Sequence, residues 1–324
     1  MLEWYAAPME GLTGWRWRQV QHEMFGGAAL YVTPFVSPNG NFSFQRKELE
    51  ELDPERNRGI PVVPQILTNR AEYFVWAAKE CRSRGWAQID LNLGCPSGTV
   101  TGKNKGAGLL RQPELLRQLL DGIFDALPDM KISVKTRIGW ERAEEWPALL
   151  ALLETYPICR LTVHPRVRTQ FYKGAADREV FRWTAEHTAL PLCYNGDVTT
   201  VRDLREMGET FPDDAVMVGR GLVADPSLLR QGLWRSCGSF TTGCTACTAG
   251  IFPATCRCCT ICGSCGTISP GPSGRRTPCC GRCVRLGTVG HMRRRCGSFS
   301  MTQSCPIDDI CKGIMLYTKN PRFP

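Results

Sequence analysis

The sequence predicts an α/β protein: a (β/α)8 TIM barrel over residues 1–235, followed by a Cys-rich, disordered tail over residues 236–324. Eight short β-branched or apolar runs recur before residue 220, each followed by small or polar residues and most of them by a helical pattern. Residues 1–235 hold 29 basic and 29 acidic side chains, so the net charge of +9 lies entirely in the tail, which has 11 basic and 2 acidic. Fourteen of the 18 cysteines fall in the tail as well. A barrel of this kind takes about 250 residues, which the first segment nearly supplies. A doubly wound sheet is the other arrangement of the same alternation.

The eight runs are EWYAA (3–7), ALYVT (29–33), VVPQI (62–66), WAQIDLN (86–92), KISVKT (131–136), CRLTV (159–163), PLCYN (191–195) and AVMVG (215–219). Helical segments lie between them. Over 70–84, Ala71, Phe74, Val75 and Ala78 fall at i, i+3, i+4 and i+7, one face of an amphipathic helix. Pro113 and Glu114 open a helix over 113–126, and Thr199 and Thr200 open one over 199–208.

In such a barrel the chemistry sits at the C-terminal ends of the strands, whereas the other rim mainly supports stability. The residues following the runs are Pro8 and Met9, Gln65, Asn92 with Cys95, Lys135 with Arg137, His164, Asn195-Gly196-Asp197, and Gly219-Arg220-Gly221. Reactive and polar groups therefore collect on one rim. Gly196, Gly219 and Gly221 suit close approach of backbone N–H groups to a phosphate, or simply tight turns. No strand is followed by G-x-G-x-x-G, so a mononucleotide such as FMN fits better than a resident dinucleotide.

Each rim residue has a plain structural role beside its chemical one. Lys135 is a cation to balance charge on a reduced flavin ring, or the partner of a buried carboxylate such as Asp90. Cys95, between Gly94 and Pro96, is a small buried hydrophobe or a thiol that stays protonated at neutral pH and donates a proton. His164, followed by Arg166 and Arg168, is a core histidine or a donor to an anion. Gln65 suits the imide edge of a flavin or a uracil, or a bond to loop backbone.

Six segments in order, APMEGLTG (6–13), DLNLGCPS (90–97), VKTRIGW (134–140), VHPRVRTQFYKG (163–174), NGDV (195–198) and VGRG (218–221), together resemble the tRNA-dihydrouridine synthases. The Asn-x-Gly-Cys-Pro element is the most specific of them. The resemblance covers residues 1–235 and implies an FMN-containing barrel that uses NADPH (or NADH) to reduce the C5=C6 bond of uridines in tRNA. It implies that Pro8, Met9, Gln65, Lys135, His164, Asn195, Gly196, Asp197, Gly219 and Arg220 surround FMN. Asn92 and Arg137 then fall at the uracil, with Cys95 as the proton donor. One departure is Pro165, where many members have Gly.

Such a reaction moves hydride to C6 and leaves enolate-like charge over C5 and O4, which calls for an acid and a hydrogen-bond donor. A base inside folded RNA must also be unstacked to reach the pocket. Lys103 and Lys105 are then phosphate contacts or solvated charges, in a loop expected to be flexible over the pocket. Two other functions suit parts of the chain: an FMN-dependent reductase of a free pyrimidine or enone, and a zinc- or nucleic-acid-binding protein working through its tail.

The opening MLEWYAAPMEGLTG shows no basic region followed by an apolar core, and no stretch reaches the roughly 18 apolar residues that span a bilayer. A cytoplasmic protein with no membrane contact and no protein partner is expected, and Cys81, Cys95, Cys159 and Cys193 suit a reducing compartment. The tail contains Cys-x-x-Cys pairs at Cys244/Cys247, Cys256/Cys259, Cys262/Cys265 and Cys280/Cys283, with His291 as its one histidine. These pairs overlap and have no 3.6-residue periodicity around them. A shift of reading frame near residue 236 explains the composition, with the tail standing where the resemblance implies a helical tRNA-binding domain, and no metal site is assigned. A metal-binding or RNA-binding extension is the alternative.

Overall fold

The computed structural model describes residues 2–231. Its strands are all parallel: β1 (Trp4–Ala6), β2 (Leu30–Val32), β3 (Val62–Val63), β4 (Gln65–Ile66), β5 (Gln88–Leu93), β6 (Lys131–Arg137), β7 (Arg160–His164), β8 (Leu192–Asn195) and β9 (Ala215–Val218). They form one sheet in the order β3-β2-β1-β9-β8-β7-β6-β5-β4. The two ends of that order are halves of a single run, VVPQI, divided at Pro64. Proline has no N–H to give a ladder, so β3 pairs with β2 while β4 pairs with β5. The gap is bridged locally: Asp90 N donates to Pro64 O at 2.8 Å, and Gln65 N donates to Thr33 Oγ1 at 3.0 Å. The sheet thus closes on itself as an eight-run (β/α)8 barrel.

Helices α1 (Trp15–Met24), α2 (Arg46–Glu51), α3 (Ala71–Ser83), α4 (Gly98–Thr101), α5 (Pro113–Ala126), α6 (Trp146–Leu153), α7 (Arg178–His187), α8 (Val201–Thr210) and α9 (Arg220–Ala224) complete the described residues. Helix α5 has the expected bounds, opens on Pro113, and buries Leu116, Leu119, Leu120 and Ile123. Helix α3 buries Phe74, Ala77, Ala78 and Cys81, so its core face is centred further along than Ala71 and Val75 suggested. Helix α8 starts at Val201 rather than Thr199, because Thr200 is its N-cap and accepts from Asp203 N at 3.2 Å.

Alternation along the strands decides what faces the barrel interior. On β5, Ile89, Leu91 and Leu93 join the large cluster packed under the helices, leaving Asp90 and Asn92 inward. On β6 the same period turns Ile132 and Val134 outward and Ser133, Lys135 and Arg137 inward. In-register pairing then sets Asn92 beside Lys135, and Arg137 beside His164. A second, smaller cluster of Tyr5, Ala7, Val32, Cys193, Ala215 and Met217 packs on the other side of the sheet. On β5 and β6 the apolar side supports the fold while the polar side faces the mouth of the barrel.

Among the described residues no helix is long and apolar enough to cross a membrane. No group of three or more His, Cys, Asp or Glu among them is placed to hold a metal ion. The tail's expected disorder, its Cys-x-x-Cys pairs and the frame shift near residue 236 lie outside the described residues.

Candidate active site

One cleft at the C-terminal rim brings together the residues expected there, with the exception of Gly221. Pro8 and Met9 enter from the segment after β1, Gln65 from β4, Asn92 and Cys95 from the end of β5, and Lys135 and Arg137 from β6. His164 comes from β7, Asn195, Gly196 and Asp197 from the end of β8, and Gly219 and Arg220 from the end of β9.

The reactive loop is fixed from beneath by a chain of buried hydrogen bonds. Ser133 Oγ donates to Asp90 Oδ1 at 2.7 Å, and Gln65 Nε2 donates to Asp90 Oδ2 at 2.7 Å. Asn92 Nδ2 donates to Gln65 Oε1 at 2.7 Å, and Asn92 Oδ1 accepts from Gly94 N at 3.1 Å and Cys95 N at 2.9 Å. Asn92 therefore starts an Asx turn that ends the strand after Leu93. The Gln65 side chain is bonded to the side chains of Asp90 and Asn92, not to loop backbone.

The loop after Cys95 is not the flexible flap expected. It forms α4 and then a 3-10 turn over Gly106–Arg111, in which Gly106 to Leu110 are buried. Gly106 has φ +55°, and a Cβ there would sit 2.9 Å from Cys95 O. Ala107 N donates to that same carbonyl at 3.1 Å. Of the two loop lysines, Lys105 is half-buried and donates to Ser37 Oγ at 3.2 Å, while Lys103 is exposed.

Asp90 carries a cost that the chain of bonds reduces. Burial pushes its carboxyl up to about 6, against the hydrogen bonds from Ser133 and Gln65 and the charge of Lys135. A carboxyl raised on folding contributes stability below its unfolded value, near 3.9, and loses it as pH rises through the folded value. Asp90→Asn is expected to flatten the stability profile between pH 4 and pH 7 by on the order of 2–3 kcal/mol. Denaturant midpoints of the two proteins at successive pH values check this, and parallel profiles would contradict it.

Lys135 does not pair with Asp90. Its Nζ donates to Asn195 Oδ1 at 2.7 Å, and Asn195 Nδ2 in turn donates to Met217 O at 2.8 Å. Burial, then the charge of Arg137, lowers the ammonium to about 8. Arg137 Nε and Nη1 donate to Gly94 O at 3.0 Å and Val167 O at 3.1 Å, which fixes its guanidinium against the Cys95 loop.

His164 lies 2.8 Å from Arg166 Nη1 through its Nε2. Arginine only donates, so Nε2 is assigned as the acceptor and Nδ1 carries the proton. Burial and the charges of Arg137, Lys135, Arg166 and Arg220 hold the imidazole well below its ordinary value. It is a neutral donor among cations. Asp197 organises two of those cations: Oδ2 accepts from Arg166 Nη2 at 2.5 Å and Ala176 N at 2.8 Å, and Oδ1 accepts from Arg220 Nη2 at 2.8 Å. Cys95 is raised above the ordinary thiol value, first by burial, and so keeps its proton at neutral pH.

Arg166 and Tyr172 are among the cleft residues that went unassigned in the sequence. Arg166 is fully buried, and its alternation with His164 beyond the strand end was the available signal. Tyr172 lies with its ring 5.5 Å from Arg137 Cζ and 5.3 Å from Arg220 Cζ, in a loop marked only by its basic character. Two of the glycines have a simpler cause than a phosphate. A Cβ on Gly196 would lie 2.6 Å from Ala176 Cβ, and one on Gly221 would lie 2.3 Å from Val198 O. Protein packing alone demands glycine at both.

The cleft therefore joins four cations, Lys135, Arg137, Arg166 and Arg220, with the carboxylates of Asp197 and Glu10. Arg166 Nε is buried with no acceptor among the described residues. That donor set fits an acceptor-rich, negatively charged ligand such as a nucleotide phosphate.

Fold and cleft together define a barrel enzyme with a basic, ligand-sized site at its C-terminal mouth. Residues 5–255 match the dihydrouridine synthase family model. A probable tRNA-dihydrouridine synthase of Rhizobium leguminosarum bv. phaseoli is 33% identical over 221 residues, covering 68% of this chain and 68% of that protein. The tRNA-dihydrouridine synthase B of Proteus vulgaris is 31% identical over 227 residues, covering 70% and 69%. The chain belongs to the dihydrouridine synthase family and is an oxidoreductase of that type. Among solved structures, TcOYE with pHBA superposes with a TM-score of 0.52 at 10% identity, over 71% of this chain and 88% of that one. Histamine dehydrogenase from Rhizobium sp. 4-9 gives a TM-score of 0.53 at 14% identity, over 72% and 46%. These two likenesses concern the fold alone.

Proposed function

We propose that this protein reduces the C5=C6 bond of uridine in tRNA to 5,6-dihydrouridine, with FMN as its flavin and NADPH or NADH as electron donor. The observation that carries the reading is Cys95: a half-buried thiol that keeps its proton, its backbone held by Asn92, on the wall of a cleft rich in cations. The names of the curated relatives support the tRNA substrate.

The donor set suits FMN. Arg166, with its unsatisfied Nε, Arg220 and neutral His164 are assigned to the phosphate side, and Pro8, Met9, Gln65, Asn195, Gly196, Asp197 and Gly219 to the remaining wall. When bound, the flavin supplies the hydride that reaches C6 of the uracil. Lys135, fixed by Asn195, sets a positive charge where negative charge accumulates during reduction. Cys95 holds the proton destined for C5, and solvent restores it after each turnover. Asn92 fixes the Cys95 backbone, and Arg137 stands beside the uracil with two of its donors anchored on carbonyls. The net change is addition of one hydride and one proton across C5=C6.

The test uses the purified full chain, with its flavin released by acid and identified by chromatography. Incubation with NADPH and unmodified tRNA is expected to yield dihydrouridine on nucleoside analysis. Reduction of free uridine but not of tRNA, or a preparation that binds no flavin, would overturn the assignment.

A further inference from the structure

Among the described residues, Phe171 combines a strained backbone with an exposed ring. Four non-glycine residues among those described have positive φ, and two of them, Phe42 and Phe171, are also exposed. Phe42 has evident compensation, since its ring packs edge-on against Tyr73 at 5.4 Å and Trp76 at 6.1 Å. Phe171 is 40% exposed, joins no core cluster among the described residues, and has the Arg168 guanidinium 4.9 Å from its ring centroid.

The backbone around it is a tight turn in which Lys173 N donates to Gln170 O at 2.8 Å. Phe171 occupies the first central position with φ 52° and ψ −99°. That is close to a type II′ turn, whose first central residue has φ of roughly +60° and is dominated by glycine. A bulky side chain there is strained, and strain of this kind persists where it serves a site. The turn has a clear geometric effect: Tyr172 lines the cleft, while Phe171, about 3.8 Å away at Cα, is exposed and takes no part in the lining. Arg168, beneath the exposed ring, is itself fixed, with Nε donating to Pro96 O at 3.2 Å and Nη2 to Thr101 Oγ1 at 3.2 Å. Its Cζ also lies 4.6 Å from the Trp140 ring centroid.

We propose that Phe171 is a stacking platform for a base of the RNA substrate next to the nucleotide that enters the cleft. This rests on the proposed action on tRNA and names a contact of that same site. Residues 166–174 hold three basic and no acidic side chains, which favours a polyanion over an acceptor surface for protein. A single exposed ring is too small an apolar patch to dock a protein, but it is the right size for one base. A base drawn out of its stack leaves its neighbour without a partner, and the ring replaces that lost surface.

The experiment measures equilibrium binding of labelled tRNA to the full chain at two salt concentrations, with turnover measured in parallel. Phe171→Ala and Phe171→Gly are expected to weaken binding by about fivefold or more, the lower end for loss of one base–aromatic stack, by the same factor at both salts because no charge is removed. Phe171→Trp is expected to bind within twofold of wild type. The glycine variant separates a binding role from a structural one: relief of the turn leaves its Tm unchanged or raised while its tRNA affinity falls. Wild-type affinity in both the alanine and glycine variants, or a tryptophan variant as weak as alanine, overturns the proposal. Failure of the wild-type protein to make dihydrouridine would sink the functional reading instead, and the binding comparison still decides the role of Phe171.

Discussion

Cys95→Ala is expected to keep bound flavin at the wild-type ratio and to lose about 10²- to 10⁴-fold in dihydrouridine formation, the usual range for a positioned general acid. The two halves of that expectation have separate causes. The cations assigned to the flavin lie on β6, at the start of α9 and in the segment after β7, and their hydrogen bonds to Asn195, His164 and Asp197 do not involve the Cys95 side chain. Deleting Sγ leaves the loop in place too, because Asn92, Ala107 and Arg137 hold it through the backbone of Gly94 and Cys95. Only the proton source is removed. Single-turnover reaction of pre-reduced enzyme with tRNA isolates the step. Wild-type rates there would rule out the acid role, and loss of flavin along with activity would show that the thiol supports the site rather than the chemistry.

The barrel was legible because strand runs are local. Each of the eight runs falls within two residues of the observed strands at either end, and the groups ending them, Asn92, Lys135 and Arg137 among them, were placed on the correct rim. The division of VVPQI was readable in Pro64 itself, which removes one ladder donor where the sheet closes. Helix α1 was not readable. Its buried positions include Arg18 and Gln21, which look like surface residues until Thr13, Glu51 and Pro226 are brought round to bond them. The cleft followed the same division. Residues that end strands were found, whereas Arg166 and Tyr172 depend on partners from β6, the loop after β8 and α9 that no local pattern reveals. The order of the Cys95 loop was missed because Gly106, an apparent mark of flexibility, is there to let the chain pass against Cys95 O.

Asp197→Ala is expected to be the most destabilising change at the cleft, by about 2–4 kcal/mol, which for a domain of this size lowers Tm by roughly 5–15 °C. Arg166 is almost wholly buried, with its side chain 1% accessible, and Asp197 is the carboxylate that neutralises it. Removing one member of such a pair strands the other, which is why the cost exceeds that of an ordinary surface ion pair. The 30% exposure of the Asp197 side chain lets water reach the gap and holds the figure below that of a fully buried pair. Asp197→Asn keeps an acceptor for the Ala176 N–H and is expected to lose less. Acid dependence supplies an independent check. Burial works to raise the Asp197 carboxyl, but the Ala176 N–H and the charges of Arg166 and Arg220 outweigh it and leave it below its ordinary value. A carboxyl depressed on folding contributes stability above its unfolded value, near 3.9, and loses it as pH falls through the folded one. The gap between wild type and Asp197→Asn in urea midpoint should therefore hold steady from pH 8 to pH 5 and narrow only below about pH 4. A gap that closes nearer neutrality would assign the effect to His164 or Asp90, and equal stability of all three proteins would mean that Arg166 finds its counter-charge elsewhere.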